Sequence, residues 1–85
     1  MTRPNPDHGQ TGSNIVYLLK GLVRSRPRPA GKVPSGEIGV RLHRNPDTFV
    51  GIDVAYVSPE QVAAHDRKRK FYEGPPVLAV EIISP

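Results

Sequence analysis

The 85-residue sequence predicts an α/β fold. Three observations carry that reading: an apolar stripe of helical period between Ile15 and Val23, two strand-like segments joined by turn residues at Glu37–His43 and Thr48–Val57, and an almost unbroken apolar run at Val77–Ser84. A chain of this length buries only roughly 60–65 % of the surface that its unfolded form exposes, which leaves room for one small core rather than two domains. The absence of Cys excludes disulfides and argues against structural zinc, so packing or a partner must supply the stability.

Taken in order, residues 1–11 read as a flexible polar leader, because Pro4 and Pro6 oppose helix and no apolar period is present. A helix is predicted at about 12–24, with Ile15, Leu18, Leu19, Leu22 and Val23 as its apolar stripe and Thr11 or Ser13 as the cap. Pro27 and Pro29 forbid its continuation, which makes Arg24–Lys32 a cationic linker. Ile38, Val40 and Leu42 then alternate with Gly39, Arg41 and His43, the period of a half-buried strand. Asn45-Pro46-Asp47 is turn chemistry, and the β-branched and aromatic residues from Phe49 to Val57 form the returning strand of a hairpin. Ser58-Pro-Glu-Gln is a capping box that starts a short helix containing Val62 and Ala63. Glu73-Gly-Pro-Pro is a turn, and Val77–Ser84 reads as a strand buried on both faces, interrupted by Glu81.

The net charge of +4 is unevenly distributed: residues 1–32 hold six basic groups and one acidic, whereas residues 33–85 hold six basic and seven acidic. Local basicity of this kind favours encounter with nucleic acid. Arg24, Arg26, Arg28 and Lys32 are the candidate phosphate contacts, although no interleaved aromatics accompany them for stacking on bases. Arg67-Lys-Arg-Lys reads as a solvated loop or a further contact with phosphate. No apolar run approaches the ~20 residues of a membrane span and no secretion signal is visible, so a cytoplasmic protein without membrane contact is expected. Phosphate-binding Gly loops, a Gly-x-Ser-x-Gly elbow and Cys nucleophiles are all missing, which sets aside the chemistries that depend on them.

Two acids breach the apolar strands, Asp53 and Glu81. A carboxylate in a low-dielectric site is costly unless it is paired or protonated, so each needs a reason. If the two strands are neighbours, the carboxylates converge on one face and offer hard oxygen ligands to a cation such as Mg²⁺, which keeps waters and takes only one or two protein carboxylates. Glu37 is a possible third member of that cluster. In the alternative, Asp53 pairs with an arginine such as Arg41 and Glu81 is simply hydrated. His8, His43 and His65 lie too far apart in sequence for a zinc-ligand spacing and read as solvent-exposed.

The segments Gly36-Glu-Ile-Gly-Val-Arg-Leu, Asn45-Pro-Asp-Thr-Phe-Val-Gly-Ile-Asp-Val-Ala-Tyr-Val-Ser-Pro and Phe71-Tyr-Glu-Gly-Pro-Pro-Val-Leu-Ala-Val-Glu-Ile-Ile-Ser-Pro, with His8-Gly9 ahead of them, resemble the Uma-two family of restriction-endonuclease-like proteins within the PD-(D/E)xK nuclease superfamily. The resemblance implies a restriction-endonuclease-like mixed β-sheet with an N-terminal helix, residues 12–85 forming the N-terminal part of a single such domain. It implies Asp53 and Glu81 as catalytic residues and ligands of Mg²⁺, with Mn²⁺ as a substitute, and DNA as the partner. The chain departs from the pattern at Ile52, where the family usually has Pro, and at Ile83, where the superfamily commonly has its lysine. Lys68 and Lys70 are the lysines nearest in sequence to replace it. The expected outcome is a domain cut before its later strands and helix, with weak or no cleavage activity alone and an exposed sheet edge available for self-association. The competing expectation is a non-enzymatic α/β fragment or nucleic-acid-binding module without a working metal site.

Overall fold

In the computed structural model, which describes residues 6–83, the first helix α1 runs Pro6–Arg24. It therefore starts six residues before the expected position, and residues 6–11 of the expected leader form its first turns; residues 1–5 lie outside the described residues. Proline at Pro6 does not oppose this start, because the amide hydrogen it lacks would have no intrahelical partner in the first turn. The half-buried face of α1 consists of His8, Gly12, Ile15, Val16, Leu19 and Val23. Leu18 and Leu22, expected on the inner stripe, are 66 % and 63 % exposed. The earlier start explains the difference, since a face running through His8 and Gly12 is rotated away from Leu18 and Leu22.

Four strands follow: β1 Ser35–His43, β2 Thr48–Tyr56, β3 Phe71–Glu73 and β4 Leu78–Val80, with the short helix α2 Pro59–Ala64 after β2. The sheet order is β3-β1-β2-β4. β1 pairs antiparallel with β2 and parallel with β3, and β2 pairs antiparallel with β4, so the sheet is mixed as expected. The β1–β2 hairpin closes through a turn at residues 44–47 in which Asn45 takes φ 57°, a left-handed conformation that Asn tolerates better than most residues. α2 has the predicted capping box: Ser58 Oγ accepts the Gln61 N–H at 3.0 Å, and Gln61 Oε1 accepts the Ser58 N–H at 3.1 Å. The Gln61 amide also donates to the carbonyls of Glu73 and Pro75, tying α2 to the chain between β3 and β4.

The core is centred on the hairpin. Val40, Val54, Ala55 and Val57 are essentially inaccessible, and Ile38, Ile52 and Val33 are buried around them. Each of the valines and isoleucines contributes about 1.5–3 kcal/mol relative to an exposed position, which makes the central pair β1–β2 the most strongly held part of the sheet. The expectation that Val77–Ser84 is a strand buried on both faces is corrected: among its described residues 77–83, only Leu78–Val80 is strand, with Val77 65 % and Leu78 43 % exposed, and Ser84 lies outside the described residues. β4 stands last in the sheet order and hydrogen-bonds on one side to β2, so its apolar character reflects an edge rather than a central position. β3 was not predicted, because three residues are too few to display a period.

Candidate functional site

The β2–β4 pairing ends one residue short of the two acids, and both line a cleft beyond it. β2 and β4 pair as Val54 with Val80, Ala55 with Ala79 and Tyr56 with Leu78.

A third acid arrives through a β-bulge. Ser35 pairs with Val54 and Ile38 with Ile52, so Gly36 and Glu37 together face the single residue Asp53. Gly36 takes φ 100°, a conformation that costs a side-chain-bearing residue roughly 1–2 kcal/mol, and this sets the bulge at the position of the acid. The Glu37 side chain then lies across Gly51, where a β-carbon would approach Glu37 Cγ to 2.9 Å. Absence of a side chain at Gly51 is thus what lets Glu37 lean over the sheet.

Asp53, Glu81 and Glu37 line one cleft of about 700 Å³, together with Gly9, Gly12, Ser13 and Val16 from α1 and with Ile82. His8 also lines it, with Nε2 3.6 Å from Asp53 Oδ2. Asp53 Oδ2 accepts the backbone N–H of Ile82 at 2.9 Å, a bond that fastens the chain after β4 onto β2. The alternative pairing of Asp53 with Arg41 does not form, because Arg41 bonds Glu73 and Asp47 instead. Glu81 is exposed at the rim of the cleft.

Among the described residues no three His, Asp or Glu side chains sit close enough to share one metal ion. Two carboxylates in an open, water-accessible cleft are nevertheless the donor set that suits a hydrated hard cation, whereas a soft or fully dehydrated ion would require more protein ligands. The residues present fit magnesium or manganese on that ground.

The basic residues are arranged differently from their order in sequence. Arg24 is eight residues beyond Val16, the last α1 residue of the cleft, so the start of the 24–32 linker lies about 12 Å along α1 from it. Lys32 bridges to Val57, and neither it nor Arg24, Arg26 or Arg28 lines the cleft. Lys68 and Lys70 are exposed in the turn before β3 and do not line it either. At the hairpin end of the sheet, by contrast, Arg41, Arg44 and Arg69 all approach Glu73, with Arg41 making a two-pronged contact. Hydrogen bonding from Arg41 holds the Glu73 carboxyl below its ordinary value of 4.5, and the same bond raises the pKa of Arg41.

Sequence reasoning missed His8 in the cleft and the convergence of arginines on Glu73. The first carried a signal, since His8 continues the Gly12, Ile15, Val16, Leu19 face by one turn. The second had none, because the parallel pairing that sets Arg41 beside Glu73 joins residues far apart in the chain.

A helix laid against a four-stranded mixed sheet, with Asp53 and Glu81 lining one cleft, defines an α/β domain. The chain is a member of the Uma2 family, described as "Putative restriction endonuclease", whose family model matches residues 1–85, and it thereby belongs to the PD-(D/E)xK superfamily. No curated protein and no solved structure matches it. None of the described helices is long and apolar enough to cross a membrane.

Proposed function

We propose that the chain carries the metal-binding acids of a DNA endonuclease that hydrolyses phosphodiester bonds, with Asp53 and Glu81 as the ligands of Mg²⁺ or Mn²⁺. The observation that supports this reading most is the shared open cleft lined by Asp53 of β2 and by Glu81 just after β4. When bound, the cation would polarise a phosphoryl oxygen and acidify a coordinated water. The Ile82 amide fixes one Asp53 carboxylate oxygen, the same oxygen that His8 Nε2 approaches at 3.6 Å. Glu37, held over Gly51, is placed to accept hydrogen bonds from water in the same space. Ile83 occupies the position where a lysine commonly orients the attacking water, and this predicts slow cleavage.

The test is nicking of supercoiled plasmid in the presence of Mg²⁺ or Mn²⁺. The expected result is weak, metal-dependent nicking that is lost in Asp53→Asn and in Glu81→Gln. Nicking unchanged by Glu81→Gln would overturn the assignment. DNA binding without any metal-dependent nicking would favour a binding module, a reading to which the substitution at Ile83 lends support.

A further inference from the structure

The charges of residues 33–85 are segregated on the sheet. Three of the seven acids, Glu37, Asp53 and Glu81, line the cleft. All six basic residues, Arg41, Arg44, Arg67, Lys68, Arg69 and Lys70, fall on β1, the hairpin turn or the segment leading into β3, where the facing acids are Asp47, Glu60, Asp66 and Glu73. Glu73 Oε1 is approached by three guanidinium groups: Arg41, Arg69 at 3.0 Å and Arg44 at 3.4 Å. A carboxylate oxygen offers about two acceptor sites, so three donors oversubscribe it. The side chains of Arg44 and Arg69 are 65 % and 48 % exposed, which leaves N–H groups of both directed to solvent.

An aromatic pair stands beside them. Phe49 is 51 % exposed and packs edge-on against Phe71 at 5.0 Å, and the Arg41 and Arg69 guanidinium carbons lie 5.1 and 5.9 Å from the Phe71 ring centre. Phe49 pairs with Arg41 and, like Gly51, lies an even number of residues from Asp53 on β2, so strand alternation puts it on the same sheet face as Asp53. Four residues separate Phe49 from Asp53, about 13 Å along β2.

We propose that Arg44, Arg69 and Phe49 form a second nucleic-acid contact that takes a backbone phosphate and stacks an unpaired base of a single strand. It rests on the nuclease reading above and extends it, because a strand seated here on the same face enters the acidic cleft about 13 Å away. The Arg24–Lys32 segment lacks aromatics, whereas the fold sets Arg44 and Arg69 beside Phe49, the combination that single-strand binding uses.

The test measures binding of a fluorescein-labelled dT12 oligonucleotide and of a 12-base-pair duplex by anisotropy, with EDTA present. Arg44→Gln/Arg69→Gln is expected to weaken single-strand binding about tenfold and to reduce the salt slope by roughly 0.7, the contribution of the one single-strand phosphate they share. Phe49→Leu is expected to weaken single-strand binding about fivefold to a hundredfold and duplex binding much less. Circular dichroism checks that the variants fold, and the exposure of all three side chains favours that they do. Unchanged single-strand affinity in either variant would overturn the proposal. Asp53→Asn separates the two readings: it is expected to bind the oligonucleotide at least as tightly as the parent while failing to nick plasmid. Arginine variants that bind normally, alongside an inactive Asp53→Asn, would refute this contact and leave the nuclease reading intact.

Discussion

Asp53 has two duties that can be separated by substitution. Its Oδ2 accepts the Ile82 N–H at 2.9 Å, a structural bond, and its charge would hold a cation at the cleft. Asp53→Asn keeps an acceptor oxygen of the same reach and removes the charge, whereas Asp53→Ala removes both. A hydrogen bond to a charged group contributes about 1.5–3 kcal/mol and a neutral one about 1 kcal/mol, so without metal the Asn variant is expected to lose about 1 kcal/mol and the Ala variant about 1.5–3 kcal/mol. For a domain of this size each kcal/mol moves Tm by about 4–8 °C. Saturating metal acts in the opposite direction: at 100 times its Kd it adds about 2.7 kcal/mol, or roughly 10–20 °C. Thermal unfolding followed by circular dichroism, with EDTA and then with a Mg²⁺ or Mn²⁺ series, reads both quantities. The expected pattern is a metal-dependent rise in Tm for the parent chain and none for either variant, with Ala below Asn in EDTA. A metal-dependent rise of equal size in Asp53→Asn, or no rise in the parent chain at millimolar metal, would refute the ligand role. Equal EDTA stability of the two variants would refute the structural one.

Two further predictions concern the basic end and the sheet edge. Because Arg41 depresses the Glu73 carboxyl, the stability that this group supplies is fully present above the ordinary carboxylate value of 4.5 and is lost as pH falls through its lower folded value; Glu73→Gln should flatten the acid limb of stability, read as urea midpoints at pH 7 and pH 3. An acid limb as steep in Glu73→Gln as in the parent would show that the arginine contacts do not matter to folding. We infer from the exposed edge at β4 that the chain self-associates, so its apparent mass in sedimentation should rise with concentration and Leu78→Lys should lower that rise, whereas a concentration-independent mass in the parent would sink the idea.

Local physics made much of the fold legible in the sequence. The alternation through Ile38, Val40 and Leu42, the turn residues Asn45-Pro46-Asp47 and the box Ser58-Pro-Glu-Gln each act within a few residues, and β1, β2, the hairpin turn and α2 follow from them. Asp53 and Glu81 were conspicuous for the same reason, as charges in runs that otherwise favour burial. Which residues α1 turns inward was not determined locally, since a stripe containing Leu18 and Leu22 satisfies the helical period as well as the face through His8 and Gly12. Only packing against β2 chose between them. The apolar run around β4 was ambiguous in the same way: hydrophobicity alone does not distinguish a central strand from an edge, and strand order decided it. The sequence by itself thus determined the elements and nominated the two acids. Tertiary structure decided that Asp53 and Glu81 line one cleft, that a bulge adds Glu37, and that Arg41, Arg44 and Arg69 meet at Glu73, because strand pairing brings together residues up to about thirty positions apart, beyond the reach of any local pattern.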